Sequence, residues 1–160
     1  MAQKTDQFLK ERYIWKTQVR RGSSAFNFLF DDLSPGQQAD LSSHIDESST
    51  GIPVLLFTKP GDGWTLLCTR QVLGFDGQTY CAASLDDIEA LHPAEMIGLN
   101  GTQRIHKARE VGKSEFDQLA LKMKNGAHIV LHANKGADFY EMWSVLLMAA
   151  RLHNWSGDDL

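Results

Sequence analysis

Residues 137–153 read ADFYEMWSVLLMAARLH, the densest apolar stretch of a 160-residue chain, with neither Gly nor Pro in it. Phe139, Trp143, Leu146, Leu147 and Ala150 recur at helical spacing and lay one apolar stripe along a 3.6-residue period. Asp138 near the start and Arg151 and His153 near the end have the signs that favour the helix dipole. Gly136 and Gly157 punctuate the two ends. Met142, Val145, Met148, Ala149 and Leu152 then fill much of the remaining circumference. A helix with one buried face does not need that second set. A cover is therefore expected over its far side, from another part of this chain or from a second copy.

Upstream of the helix, from Gly51 on, turn signals come at regular intervals. Ile52–Thr58 reads as a strand, with Pro53 near its start where a missing donor is tolerated. Pro60-Gly61-Asp62-Gly63 turns the chain, Trp64–Phe75 runs back with an interruption near Arg70, and Asp76-Gly77 signals a hairpin into Thr79–Ser84. Leu85–Leu91 reads as one helical turn before Pro93. Ala94–Leu99 and Gln103–Arg109 are expected to pair about Asn100-Gly101, and Phe116–Lys124 and Ala127–Ala133 about Asn125-Gly126. In the last pair Leu119, Leu121 and Met123 share one face and meet Ile129 and Leu131, giving a buried side and a wet side. The fold class is mainly β (α+β): seven short antiparallel strands in a sandwich or partly open barrel, capped by the C-terminal helix.

Residues 1–50 have a different texture and read as an N-terminal helical extension. Phe8, Leu9, Tyr13, Trp15 and Val19 form a loose helical pattern over Asp6–Val19, which Arg21-Gly22-Ser23-Ser24 stops. Phe26, Phe28 and Phe30 alternate, as a short strand or an aromatic plug. Ser34 before Pro35 caps a second helix running to about Ile45, and residues 42–51 read as a linker. The organisation expected is an extension over 1–50, a domain over 51–153 and a tail over 154–160. The extension is the candidate cover for the C-terminal helix.

Three phrases resemble the bacterial pleckstrin-homology-like (PH-like) domains. WTLLCTRQVLGFDGQTY (64–80) is similar to their strand, Thr-x-Arg bend and hairpin; SLDDIEAL (84–91) to the short crossing that follows; LALKMKNGAHIVLHA (119–133) to the final hairpin. The resemblance covers about residues 51–153. It implies a seven-stranded scaffold that binds lipid head groups, peptides or protein partners and that is rarely catalytic. Phosphoinositide-binding members carry several basic residues on the first hairpin. Here only Lys59 and Arg70 flank the Pro60–Gly63 turn, and Asp62 sits at its tip. A multivalent phosphate needs several converging donors, so phosphoinositide binding is not expected.

The net charge is −4, which advertises no basic face for nucleic acid. No apolar run is long enough to span a membrane, and the N-terminus lacks the apolar core of a signal peptide. A cytoplasmic location follows, with Cys68 and Cys81 reduced and buried. His128 and His132 fall on one side of a strand, about 13 Å apart by strand rise, too far to share a metal. Cys68, Cys81, His92 and His106 lack metal-ligand spacing, so neither a metal nor a cofactor is expected. Asp86, Asp87 and Glu89 read as a solvated turn. No nucleophile elbow or phosphate loop is present, and the chain is not expected to be an enzyme.

Arg104, His106, Lys107, Arg109 and Lys113 form the densest basic run, read as a solvated edge strand or as an anion or partner surface. Two functions from different classes remain. The first is a non-catalytic interaction module, adaptor- or immunity-like, that docks an unidentified protein partner or a second copy. It would use Met142, Val145 and Met148 together with Phe26, Phe28 and Phe30. The alternative is a small-ligand or lipid binder with Arg70, Arg104, His106, Lys107 and Arg109 as contacts.

Overall fold

The computed structural model describes residues 4–18 and 24–154. Val19, the Arg21-Gly22-Ser23 stop, Gly157 and the tail beyond Asn154 lie outside the described residues. The chain begins with α1 (Asp6–Gln18), β1 (Asn27–Leu29), α2 (Pro35–Ser42) and the short α3 (Glu47–Thr50). Four strands follow: β2 (Pro53–Thr58), β3 (Trp64–Cys68), β4 (Gln71–Phe75) and β5 (Tyr80–Ser84). Then come β6 (Ile88–Pro93), α4 (Gly101–Val111), β7 (Gln118–Met123), β8 (His128–His132) and the closing α5 (Ala137–Asn154).

The strands make two antiparallel sheets in chain order, β1-β2-β3-β4-β5 and β6-β7-β8, in a mainly-β sandwich of α+β class. Side chains alternate across each strand, and the register sorts them into rows. Leu55, Leu67, Val72 and Ala83 line up on the inner face of the first sheet and belong to the main core. Leu56, Leu66 and Leu73 line up on the outer face, where Phe30, Leu33 and Leu41 cover them in a second core. That second layer is why β2 reads as an unbroken apolar run: both of its faces are buried. α2 is held in place by a capping box, Ser34 Oγ accepting from the Gln37 amide at 3.2 Å and Gln37 Oε1 from the Ser34 amide at 3.0 Å.

The sheets meet where β3 and β4 approach β8. Thr65 Oγ1 donates to the His132 carbonyl at 2.7 Å and accepts from the His132 amide at 3.1 Å, a buried hydroxyl that stitches one sheet to the other. Gly74 leaves the room for this approach: a Cβ there would stand 3.0 Å from both Cys81 Sγ and Leu131 Cδ2. The β7–β8 hairpin pairs Leu119 with Leu131 and Leu121 with Ile129, as the alternation in the sequence requires. α5 closes the core with Phe139, Met142, Val145, Leu146, Ala149 and Ala150, and α1 packs along it with Leu9, Tyr13 and Thr17 turned inward.

Several expectations are corrected. Ala94–Leu99 and Gln103–Arg109 do not form a hairpin. Residues 101–111 are the helix α4, and Asn100 is its N-cap, exchanging 2.9 Å hydrogen bonds with Gln103. The Asn-x-x-Gln pattern satisfies helix-start amides, and the segments beside Asn100-Gly101 lack the strand alternation needed to make it a hairpin turn. Leu85–Leu91 is only briefly helical, over Leu85–Asp87, and Ile88–Pro93 pairs with β7. Asp76-Gly77 lies in a four-residue loop, because Phe75 pairs with Tyr80 and Asp76 Oδ1 accepts from the Gln78 and Thr79 amides. Of the two readings of the Phe26–Phe30 segment, the short strand is the one formed: Asn27–Leu29 is β1 and pairs with β2. Among the described residues the domain over 51–153 thus holds seven strands, β2–β8, as expected in number though not in every position, and β1 from the extension makes an eighth.

Candidate functional site

α1 is seated on the rest of the molecule by a polar cluster. Tyr13 Oη donates to the Thr69 carbonyl at 3.1 Å, and Nε2 of His153 donates to the same carbonyl at 2.7 Å. His153 Nδ1 stands 3.0 Å from Asp86 Oδ1. At the other end of the helix Asp6 Oδ1 accepts from Thr69 Oγ1 and from Arg70 Nε, each at 2.8 Å, while Arg70 Nη2 donates to the Lys4 carbonyl. Asp86, His153 and Tyr13 stand in the order of an acid–base relay, but Tyr13 is wholly buried. Burial pushes its phenol far above the ordinary range. The cluster holds α1; it presents no nucleophile.

Beside this seat a groove of about 500 Å³ runs between α1 and α5. Phe8, Arg12 and Lys16 reach it from one face of α1, and Ser144, Leu147, Met148, Arg151 and Leu152 from one face of α5. Phe8 is 41% exposed and Trp15 next to the groove 50%, large values for apolar side chains. The Arg12 guanidinium lies 4.7 Å from the centroid of the Trp15 ring, a cation–π contact. The groove thus combines an apolar floor with three cations, and among the described residues no carboxylate lines it.

On the other flank of α5, a second cleft of about 470 Å³ opens under α4. Leu91, Pro93 and Met96 form one side, Phe116, Tyr140 and Trp143 another, and Ile105 and Ala108 of α4 overhang it. Its polar side-chain groups are His92, Arg104, Lys113 and the Tyr140 hydroxyl, which donates to the Lys113 carbonyl at 2.8 Å. Burial, helped by Arg104, His128 and Lys122 nearby, pulls the His92 pKa below the ordinary histidine range. Its Nε2 is buried and has no hydrogen-bond partner among the described residues.

The residues singled out in the sequence are dispersed across these features. Met142 and Val145 are wholly buried in the main core and are no docking surface; Met148 alone of that trio lines the α1–α5 groove. Phe30 is buried in the second core, Phe28 packs against it, and Phe26 is half-buried at the start of β1. Arg70 is engaged by α1 rather than free for a ligand. Arg104, His106, Lys107 and Arg109 of the basic run lie on α4, not on an edge strand, and Lys113 lies in the short turn after it. Of the run only Arg104 and Lys113 line the cleft, while Lys107 pairs with Glu110 at 3.9 Å and His106 and Arg109 are exposed elsewhere on α4.

No model of a known protein family matches the chain, and a search of curated proteins finds no match. The site therefore has to be read from its own geometry.

Among the described residues no three His, Cys, Asp or Glu side chains stand together to hold a metal ion, and no helix is long and apolar enough to cross a membrane. His132 is half-buried and His128 exposed, 6.2 Å from the His92 ring. From the sequence, Phe8, Arg12, Lys16 and His92 are assigned to no binding site: Phe8 counts there only toward the helical pattern of α1, and His92 only as lacking metal-ligand spacing. The signal for the first three was present as an i, i+4, i+8 series beside the buried Leu9, Tyr13 and Thr17 series. His92 had none, since its role depends on where α4 lies.

Proposed function

We propose that this protein is a non-catalytic interaction module that docks an acidic amphipathic helix of a protein partner in the α1–α5 groove. The observation that carries this is the lining of the groove: Arg12, Lys16 and Arg151 around Phe8, Leu147, Met148 and Leu152, on a chain whose net charge is −4. A cationic rim around an apolar floor complements a helix with apolar residues at i, i+3, i+4 and i+7 and carboxylates flanking them. The likeness to PH-like domains, which serve as scaffolds for peptides and protein partners, supports the same conclusion. The burial of Tyr13 and its hydrogen bond to the Thr69 carbonyl, beside His153, support a structural rather than a catalytic role.

The test is capture from a lysate of the source cells by the intact protein, side by side with the Arg12→Glu/Lys16→Glu/Arg151→Glu variant. Cross-linking from position 148 then maps the retained segment. The expected result is a partner lost in the triple variant and at high salt, cross-linked through a segment that is acidic, helical and apolar on one face. A synthetic peptide of that segment should bind by fluorescence anisotropy and be weakened by Phe8→Ala. A retained protein indifferent to the triple variant would overturn the proposal. So would groove-dependent binding to anionic lipid vesicles without any peptide binding, or occupation of the groove by a second copy.

A further inference from the structure

The cleft under α4 is a separate feature, with its own lining and its own chemistry. We propose that it binds a small amphipathic monoanion, an apolar carboxylate, with its body on Met96, Ile105, Phe116 and Trp143 and its charge answered by Arg104. At about 470 Å³ the cleft falls within the ordinary range of small-molecule sites, and like them it is mostly apolar with few polar groups.

Three observations converge on that ligand class. The first is the sign of the lining: Arg104 and Lys113 are present and, among the described residues, no carboxylate is; Glu95, adjacent to Met96, does not line the cleft. Arg104 Nε donates to the Leu99 carbonyl at 3.0 Å, which orients the guanidinium and leaves its two Nη groups without a partner among the described residues. The second is Nε2 of His92 in the same lining, an atom that is buried and has no partner among the described residues although the residue itself is half-buried. A buried polar atom without a partner is uncommon and costs free energy until something bonds to it. The third is α4 itself. None of its residues is buried, and Ile105, on the side that overhangs the cleft, is 57% exposed. A ligand body there would cover apolar surface that the protein alone leaves wet. One oriented guanidinium and one imidazole suit a single carboxylate, whereas a phosphate dianion calls for more converging donors.

The probes are octanoate, with octan-1-ol and octylammonium as controls, titrated into the full chain and followed by NMR at the His92 imidazole and the Trp143 indole. Octanoate is expected to saturate and perturb both resonances, with the alcohol and the amine weaker by roughly tenfold or more. Arg104→Gln should weaken octanoate roughly tenfold, the effect of removing one charge-assisted contact. Ala108→Trp should block the cleft. Arg104 is exposed, so Arg104→Gln should keep the thermal transition of the parent, and it carries the test if Ala108→Trp, at a half-buried position packed against the core, lowers that transition. The groove variant Arg12→Glu/Lys16→Glu/Arg151→Glu should bind octanoate unchanged, which separates failure of this site from failure of the docking groove. No saturation at millimolar octanoate would overturn the proposal. So would octan-1-ol binding as tightly as octanoate, indifference to Arg104→Gln, or loss of binding in the groove variant.

Discussion

Single side chains at the α1 seat carry measurable weight because they are buried and bonded. Tyr13 Oη shares the Thr69 carbonyl with His153, so Tyr13→Phe removes one net hydrogen bond and leaves the other in place. A loss of about 1 kcal/mol is expected, a fall of ~2–4 °C in Tm for a chain of this size. His153→Ala strips a donor from that carbonyl and the partner from Asp86, and should cost about 1–3 kcal/mol. Calorimetry of both single variants and the double variant should show non-additivity, since the two share an acceptor. The cysteines offer a second check. Burial pushes the Cys68 thiol up to about 12, and raises that of the half-buried Cys81 as well. With the thiolate the reactive species, a thiol reagent at mildly alkaline pH should modify Cys81 slowly and leave Cys68 untouched until denaturant is added. Rapid labelling of both in the native protein would contradict this packing.

The elements differ in how firmly the molecule holds them. α5 was recognisable from its own residues, yet its rotation was not: two apolar sets share its circumference, and periodicity alone cannot say which one faces the sheets. Of the stripe, Phe139, Leu146 and Ala150 are buried while Trp143 and Leu147 are half-buried, and Met142, Val145 and Ala149 of the second set share the core with them. Met142→Asp should therefore prevent folding, through a buried carboxylate without a partner. Met148→Asp, in the groove, should leave the fold intact and alter only docking. Soluble expression and circular dichroism of the two variants decide the matter. α4 is the opposite case, an element with no buried residue whose start depends on Asn100. Asn100→Ala should lose about 0.5–2 kcal/mol of local helix stability, raising amide hydrogen exchange over residues 101–105 roughly 2- to 30-fold. The thermal midpoint of the whole chain should hardly move. Asn100-Gly101 also shows why a dipeptide is a weak signal: the same two residues serve a hairpin or a helix start, and the following Gln103 settles it through the capping box.

Across the molecule, two half-buried histidines tie stability to pH. Burial lowers the pKa of His92 and of His132 below the ordinary histidine value, and Lys59 beside His132 adds to the effect. The unfolded chain then binds more protons than the native one as pH drops below ~6.5. Their stabilisation is fully present above the unfolded value and is lost as pH falls through the lowered native values. Urea midpoints should thus decline from pH 7.5 to pH 5.5, and less steeply in a His92→Gln/His132→Asn variant. Equal slopes in the two proteins would assign the decline to other groups. Much of this architecture follows from local sequence: the strands from alternation, α2 from its Ser34–Gln37 box, the last hairpin from Asn125-Gly126, and α5 from its unbroken apolar run. These rest on contacts between near neighbours, so the residues themselves determine them. Tertiary structure alone decided the rotation of α5, the entry of β1 into the sheet, the binding of Arg70 by α1, and the two concavities flanking α5. Each depends on which surface meets another far along the chain, and several apolar surfaces of this sequence would have served equally well in isolation.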